Sequence, residues 1–389
     1  MPRLLTTDIP KRFPTDIGQS LSTDIRQRFS ATSFPILSPP NYKTTHCDAS
    51  NMHSAETVTL ARLPSGVPVQ TTVHTYEPAD GADGPTLYVQ AAQHGREING
   101  TEVLRRLHSQ LERADLTGRI VAVPVADPLT FDRVSYATPE ALDSVNSNMN
   151  RVWPGDADGT LHERMAAKLW EFAGSADAIV DLHTGSPDML THTVYRKHDD
   201  QSRELAEAFG VDLLLAEAAG EDAEEEWSER NFGGKLRVAA TDAGIPSITP
   251  ELAHNKQLVE PAIVAGVEGV LNVARDMGIL GGAVEPWDGQ TYRNHLGRVT
   301  AETSGLFVAR EDLQLGREVR PGDHLGWVYD PTTYNVLQEV EAERAGVVYS
   351  ITREATVTAG KTLVGVALPL DDGLDEDDPF EDSDDAFEI

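Results

Sequence analysis

An α/β fold with a largely parallel, helix-covered sheet, followed by a small all-β domain, is what the sequence predicts. Three observations carry that expectation. Strand-like and helical patterns alternate from about residue 55 to residue 280, the texture of a sheet whose strands are joined by helices. From residue 284 the helical spacing stops, and short apolar stretches broken by glycine take over, as in "HLGRVTAETSGLFVAR" and "TVTAGKTLVGVAL". With 389 residues, 40% of them hydrophobic, the chain is too long for one ordinary core and apolar enough to bury two.

Taken in order, the first strands are expected at 56–62 and 68–75. "PTLYVQAA" places a third at 85–92, short, apolar and β-branched like a strand covered on both faces. It runs into His94-Gly95-Arg96-Glu97, after which Val103, Leu104, Leu107 and Leu111 give the spacing of a helix over 99–113, with Asn99 able to cap it. Further strands are expected at 119–125, 177–183, 211–216 and 245–250, and helices at 160–173, 200–209, 231–243 and 256–277. The acidic stretch "EAAGEDAEEEWSER" reads as a solvated loop.

The two ends differ from this body. Residues 1–51 contain the eight-residue repeats "TDIPKRFP", "TDIGQSLS" and "TDIRQRFS"; three such repeats cannot build a core, so a disordered extension is expected, with Met52 as the natural start. The domain expectation is then a catalytic α/β domain over 52–283 and a β-domain over 284–370. A disordered tail, 371–389, carries eleven acids and no cation.

Charge excludes several functions. The chain has 32 Lys+Arg against 63 Asp+Glu, a net −31, and only seven of the cations are lysine. Such a surface repels nucleic acid and anionic membrane, and neither is expected as a partner. Because the acids spread over the whole folded region, the charge reads as adaptation to high salt, where screening relieves self-repulsion. Apolar runs are broken well before a membrane-spanning length and no signal peptide is evident, so a cytoplasmic protein is expected. Cys47 is the single cysteine, so any metal site must draw on His, Asp and Glu.

"ADAIVDLHTGS" delivers a second histidine, His183, to a strand end. Ligands in open α/β sheets collect at the carboxyl ends of strands, where His94, Glu97 and His183 can converge. Two neutral imidazoles and a carboxylate make the His₂Glu set of a catalytic zinc, with a fourth position open. A pair three residues apart occurs by chance in any chain; the second strand-end histidine is what favours metal.

"QHGREINGTE", "NMNRVWPG", "DLHTGS" and "SITPELA", in that order, resemble the succinylglutamate desuccinylase/aspartoacylase family of the zinc carboxypeptidase superfamily. The resemblance covers about residues 55–370 and implies a zinc-carboxypeptidase-like mixed sheet with helices on both faces, plus the β-domain that follows it. It implies His94, Glu97 and His183 as ligands of one Zn²⁺ per chain. It makes Glu251, at the end of "GIPSITPEL", the general base that takes a proton from the attacking water and passes it to the leaving nitrogen. Asn150 and Arg151 match the pair that binds the substrate carboxylate, a task that suits arginine's planar fork. Arg133, in "FDRVSYATPE", is the counterpart of the arginine that polarises the scissile carbonyl, although its spacing to Thr138-Pro139 is looser than the family pattern. Asp181 is either an orienter of His183 or a plain strand-end acid. His192, His198, His254, His295 and His324 are left over and read as structural.

The expected activity is therefore zinc-dependent hydrolysis of the amide of an N-acylated amino acid. A carboxypeptidase or ester hydrolase on a small carboxylate is the alternative within enzymes. A carrier module is the rival from another class, because "VRPGDHLGWVYD" resembles the turns of lipoyl-type domains. The β-domain's only lysine, Lys361, lies in a later turn, so the domain is read as a cap over the site. Whether the chain forms a homo-oligomer is left open.

Overall fold

The computed structural model describes residues 51–218, 231–293 and 297–370. The expectations for the N-terminal repeats, for residues 219–230 of the acidic loop, for His295 and for the acidic tail fall outside these residues.

The chain begins with an antiparallel hairpin, β1 (Asn51–Arg62) and β2 (Pro68–Pro78), in which His53 faces Tyr76 and Ala55 faces His74. Then follow β3 (Thr86–Ala91), α1 (Asn99–Leu111), β4 (Arg119–Val123), α2 (Pro128–Phe131) and α3 (Leu161–Ala173). The second half of the α/β region holds β5 (Ala178–Gly185), β6 (Asp188–Met189), β7 (His192–Arg196), α4 (Asp200–Phe209), β8 (Leu213–Glu217), a helix α5 (Leu236–Asp242), β9 (Ser247–His254) and a helix α6 (Glu260–Asp276). Among the described residues nine strands follow: β10 (Gln290–Arg293), β11 (Arg298–Thr300), β12 (Gly305–Ala309), β13 (Glu318–Val319), β14 (His324–Tyr329), β15 (Val336–Glu341), β16 (Gly346–Ile351), β17 (Thr356–Val357) and β18 (Thr362–Pro369).

One large mixed sheet runs in the order β1-β2-β4-β3-β5-β9-β7-β8-β10-β18-β16-β13. Its centre, β4-β3-β5-β9, is parallel; β7 reverses direction against β9. A four-stranded sheet, β15-β14-β12-β17, completes the C-terminal part. Strand alternation sends Leu87 and Val89 to one face and Tyr88 to the other. On the first face they meet Val103, Leu107 and Leu111 of α1 and Ile263 and Val270 of α6; on the second, Tyr88 lies in the cluster of Met165 and Leu169 of α3 and Leu236 of α5. Burying each such Leu or Val contributes roughly 1.5–3 kcal/mol. The C-terminal strands have their own core around Phe307, Leu325, Val328, Val340 and Leu363.

The α/β class, the helices on both faces and the extra β sheet agree with expectation, and three local readings do not. Asn99 does not cap α1: it is fully buried, and its amide donates to Leu252 O (2.8 Å) and accepts from Val259 N (3.0 Å), tying α1 to β9. Over 231–243 the helix starts only at Leu236, after a 3₁₀ turn at Phe232–Gly234. The last helix starts at Glu260, where Pro261 fits the first turn. Strand β7, with five residues, went unread.

Candidate active site

Each half of the site stands where a parallel strand ends. β3 stops at Ala91, and Ala92 takes a left-handed backbone (φ 53°) that swings Gln93 and His94 out of the sheet direction. Gly95 follows because nothing larger fits: a Cβ there would lie 2.0 Å from the Thr130 carbonyl. The tight turn closes with Glu97 N donating to His94 O (2.9 Å), which brings the two side chains to one side. β5 supplies Asp181 and His183 from the adjacent strand, and β9 supplies Glu251, whose register places it between His183 on β5 and His192 on β7.

His94, Glu97 and His183 are buried, and one donor atom from each lies within 4.8 Å of the other two. Glu97 stands between the rings: its Oε1 is 3.0 Å from His94 Nδ1 and its Oε2 is 3.0 Å from His183 Nδ1. The outer nitrogens face acceptors, His183 Nε2 to Asp181 Oδ2 (2.9 Å) and His94 Nε2 to Asn148 Oδ1 (3.2 Å). With an ion bound, Nε2–H groups donated outward would free both Nδ1 atoms, now within hydrogen-bond distance of Glu97, to act as ligands. Asp181 is fixed in turn by Gln90 (3.0 Å) and Gln93 (2.7 Å), and Gln93 by the Trp153 indole N–H (2.8 Å).

Electrostatics agree with a cation site. Two buried carboxylates, Glu97 and Asp181, share the space with two imidazoles. Burial works against the charge of Glu97, yet His94 and His183 pull it below the usual carboxylate range. Burial likewise disfavours a charged His183, but Asp181 and Glu97 lift it well above the ordinary histidine value. Three convergent donors, backed by carboxylate and amide acceptors, fit a divalent ion such as zinc. Glu251 differs: burial, reinforced by Glu97 and Asp181, pushes it up to about 7.

The remaining expected residues divide. Asn150 joins the cluster, with Nδ2 3.3 Å from His183 Nε2 and Oδ1 accepting from Leu236 N (3.0 Å). Arg151 donates to Asn150 O (2.5 Å), and its guanidinium lies 4.8 Å over the Phe232 ring. Arg133 sits in an exposed turn after α2, and among the described residues no contact joins its guanidinium to the histidines. A different arginine is already beside them: Arg96 donates to Ser186 Oγ (2.5 Å) and lies 4.8 Å over Tyr136, whose ring stacks on His94 at 3.9 Å. The C-terminal strands reach the same rim. β16 pairs with β6, Arg353 donates to Asn255 O (3.1 Å), and Tyr349 packs edge-on to His192.

Sequence reasoning missed Gln93, Asn148, Trp153 and Tyr136. The first three stand inside the motifs read for their neighbours, and Gln93, the amide directly before His94, was the available signal.

Comparison with known proteins agrees. The family model described as the succinylglutamate desuccinylase/aspartoacylase catalytic domain matches residues 83–277. The N-alpha-acetyl-L-2,4-diaminobutyric acid deacetylase of Halomonas elongata is 30% identical over 299 residues, 73% of this chain and 82% of that protein. Among solved structures, the product-bound ectoine utilization protein EutE (DoeB) of Ruegeria pomeroyi has a TM-score of 0.70 at 23% identity, over 84% of this chain and 98% of that one. The succinylglutamate desuccinylase/aspartoacylase of Rhodobacter sphaeroides has a TM-score of 0.69 at 23% identity, over 82% and 96%. The chain belongs to the succinylglutamate desuccinylase/aspartoacylase family.

Proposed function

We propose that the protein is a zinc-dependent deacylase that hydrolyses the amide of an N-acylated amino acid, with N-acetylated diamino acids the first class to test. The observation that carries the reading is the convergence of His94, Glu97 and His183 within 4.8 Å, with Glu251 beside His183 in register. The H. elongata relative, named for acetyl removal from diaminobutyrate, supports the substrate class.

His94, Glu97 and His183 would hold one zinc at this site. When bound, zinc supplies Lewis acidity, lowering the pKa of a water and polarising the scissile carbonyl. Glu251 takes the proton of the attacking water and returns it to the leaving nitrogen. A carboxyl raised to about 7 is matched to accepting and returning a proton near neutral pH. Asn150 and Arg151 hold the substrate carboxylate. For the carbonyl, the resemblance assigns Arg133, whereas position favours Arg96, already anchored next to His94. The C-terminal strands at the rim act as a cap that keeps out long peptides and admits small substrates.

The test is a screen of N-acetyl and N-succinyl amino acids and N-acetyl diamino acids, run with zinc in high salt and read as release of the free amine. Hydrolysis of an acetylated amino acid, lost in Glu251→Gln, is expected. A zinc-loaded protein that cleaves none of them refutes the proposal.

A further inference from the structure

Three histidines far apart in the sequence meet at the other end of α1. His53 and His74 share one face of the β1–β2 hairpin, and His108 reaches that face from the last turn of α1. One donor nitrogen from each lies within 4.8 Å of the other two, and all three side chains are half-buried. The His53 Nε2 and His74 Nδ1 atoms are 3.0 Å apart. Two nitrogens on a tetrahedral zinc, each at roughly 2.0–2.1 Å, are about 3.3 Å apart, so little movement is needed to share an ion. The cluster is separate from the first site. α1 starts directly after the His94–Glu97 turn, and Asn99 to His108 spans about 14 Å of helix axis.

We propose that His53, His74 and His108 form a second binding site, for a borderline divalent cation of the zinc, cobalt, nickel or copper type. Imidazole nitrogens select that class over calcium or magnesium. His53 and His74 lie nearly parallel, 5.3 Å between ring centroids, with His108 edge-on to both, and polar groups stand beside the ring nitrogens. Tyr76 Oη lies 2.8 Å from His108 Nδ1; as acceptor of that N–H it leaves Nε2 to ligate. Glu112 lies 3.7 Å from His53 Nδ1 and 3.4 Å from His108 Nε2, able to orient one ring and offset the charge of the ion. Because the three ligands come from β1, β2 and α1, a bound ion ties the sheet's outer hairpin to the helix that follows the active-site turn.

The experiment uses the full chain, stripped with chelator and titrated with zinc in molar potassium chloride to suppress loose binding by surface acids. Wild type should retain two zinc equivalents through gel filtration, and His108→Gln one. His108 lies on an accessible helix face, so this variant should keep its fold, its melting temperature in chelator and its deacylase activity. Tyr76→Phe should weaken the second equivalent by about tenfold or more, a readout that plain ring packing would not move. A second equivalent that persists in His108→Gln would mark adventitious binding and overturn the proposal, as would a wild type holding only the equivalent that His183→Gln removes. A wild type whose sole equivalent disappears in His108→Gln and survives in His183→Gln would uphold this site and refute zinc at the other.

Discussion

Glu251 and Asp181 are both acids near strand ends, yet their surroundings assign them different work. Asp181 is buried, but the His183 charge and the Gln90 and Gln93 amides keep it below the usual aspartate range, an anion set behind His183. Glu251 is pushed up to about 7 and can exchange a proton. Two substitutions separate the roles. Glu251→Gln keeps shape but cannot accept a proton, so turnover should fall by roughly 10²–10⁴ while zinc content stays the same. Loss of the zinc in that variant would make Glu251 a ligand instead. Asp181→Asn should do the converse, weakening zinc by about 10–100-fold, because an amide no longer stabilises the orienting N–H of His183 as a carboxylate does; equilibrium dialysis against a chelator reads it. At this scale the sequence was legible where chemistry is local. His94, Glu97 and His183 each stand at a strand end whose apolar run announces it. Asn148, Tyr136 and the triad of His53, His74 and His108 were not legible, because each acquires its partners from segments tens of residues away.

Among the elements, the least regular one leads into Asn150 and Arg151, the pair proposed to hold the substrate carboxylate. The chain from Asp132 to Asn148 has no helix or strand, and it is held from below by His162 at the start of α3. His162 is wholly buried, with Nε2 3.4 Å from Asp127 and Nδ1 3.3 Å from Asp143. Asp143 also accepts from the backbone N–H groups of Val145, Asn146 and His162, which fixes the loop just before Asn148 and Asn150. Burial disfavours the imidazolium, but the two aspartates outweigh it and raise His162 above 6.5. A raised folded value means that the stability from this pair is fully present below pH 6.5 and is lost as pH climbs through the folded value. His162→Gln should therefore cost about 3 kcal/mol or more at low pH and progressively less in alkali, because it breaks a buried pair. Melting curves of wild type and variant against pH would show the gap closing; a constant gap would mean that His162 is buried neutral. Period and length made α1, α3 and α4 readable, whereas α2 has four residues, too short for a pattern to repeat, and β7, HTVYR, lacks the apolar run that marks the equally short β4 and β8.

For the whole molecule, the sheet and the charge act together. A single sheet carries the active-site strands through β8 and β10 into the C-terminal strands, so rim residues such as Arg353 and Tyr349 are set by the same hydrogen-bonded frame as the histidines. Among the described residues no helix is long and apolar enough to cross a membrane. What opposes this compact frame is its charge, 63 acids against 32 cations. Arg105 and Arg106 with Glu102, Arg106 with Glu260, and Arg119 with Glu77 neutralise some of the acids. Such exposed pairs contribute about 0–1 kcal/mol each and weaken as salt is added. The excess acids respond the other way: their mutual repulsion reaches about 10 Å at 0.1 M salt and about 3 Å at 1 M. With acids outnumbering cations nearly two to one, the repulsive contribution dominates, and stability should rise with potassium chloride. The melting temperature is expected to climb by several degrees from dilute buffer to molar salt, and more slowly once the screening length falls below the spacing of the acids. Sucrose, which favours burial without screening, should not reproduce the steep rise at low concentration. Equal melting temperatures at both ends, or a fall, would mean that the local ion pairs and not the net charge set the electrostatic balance of the fold.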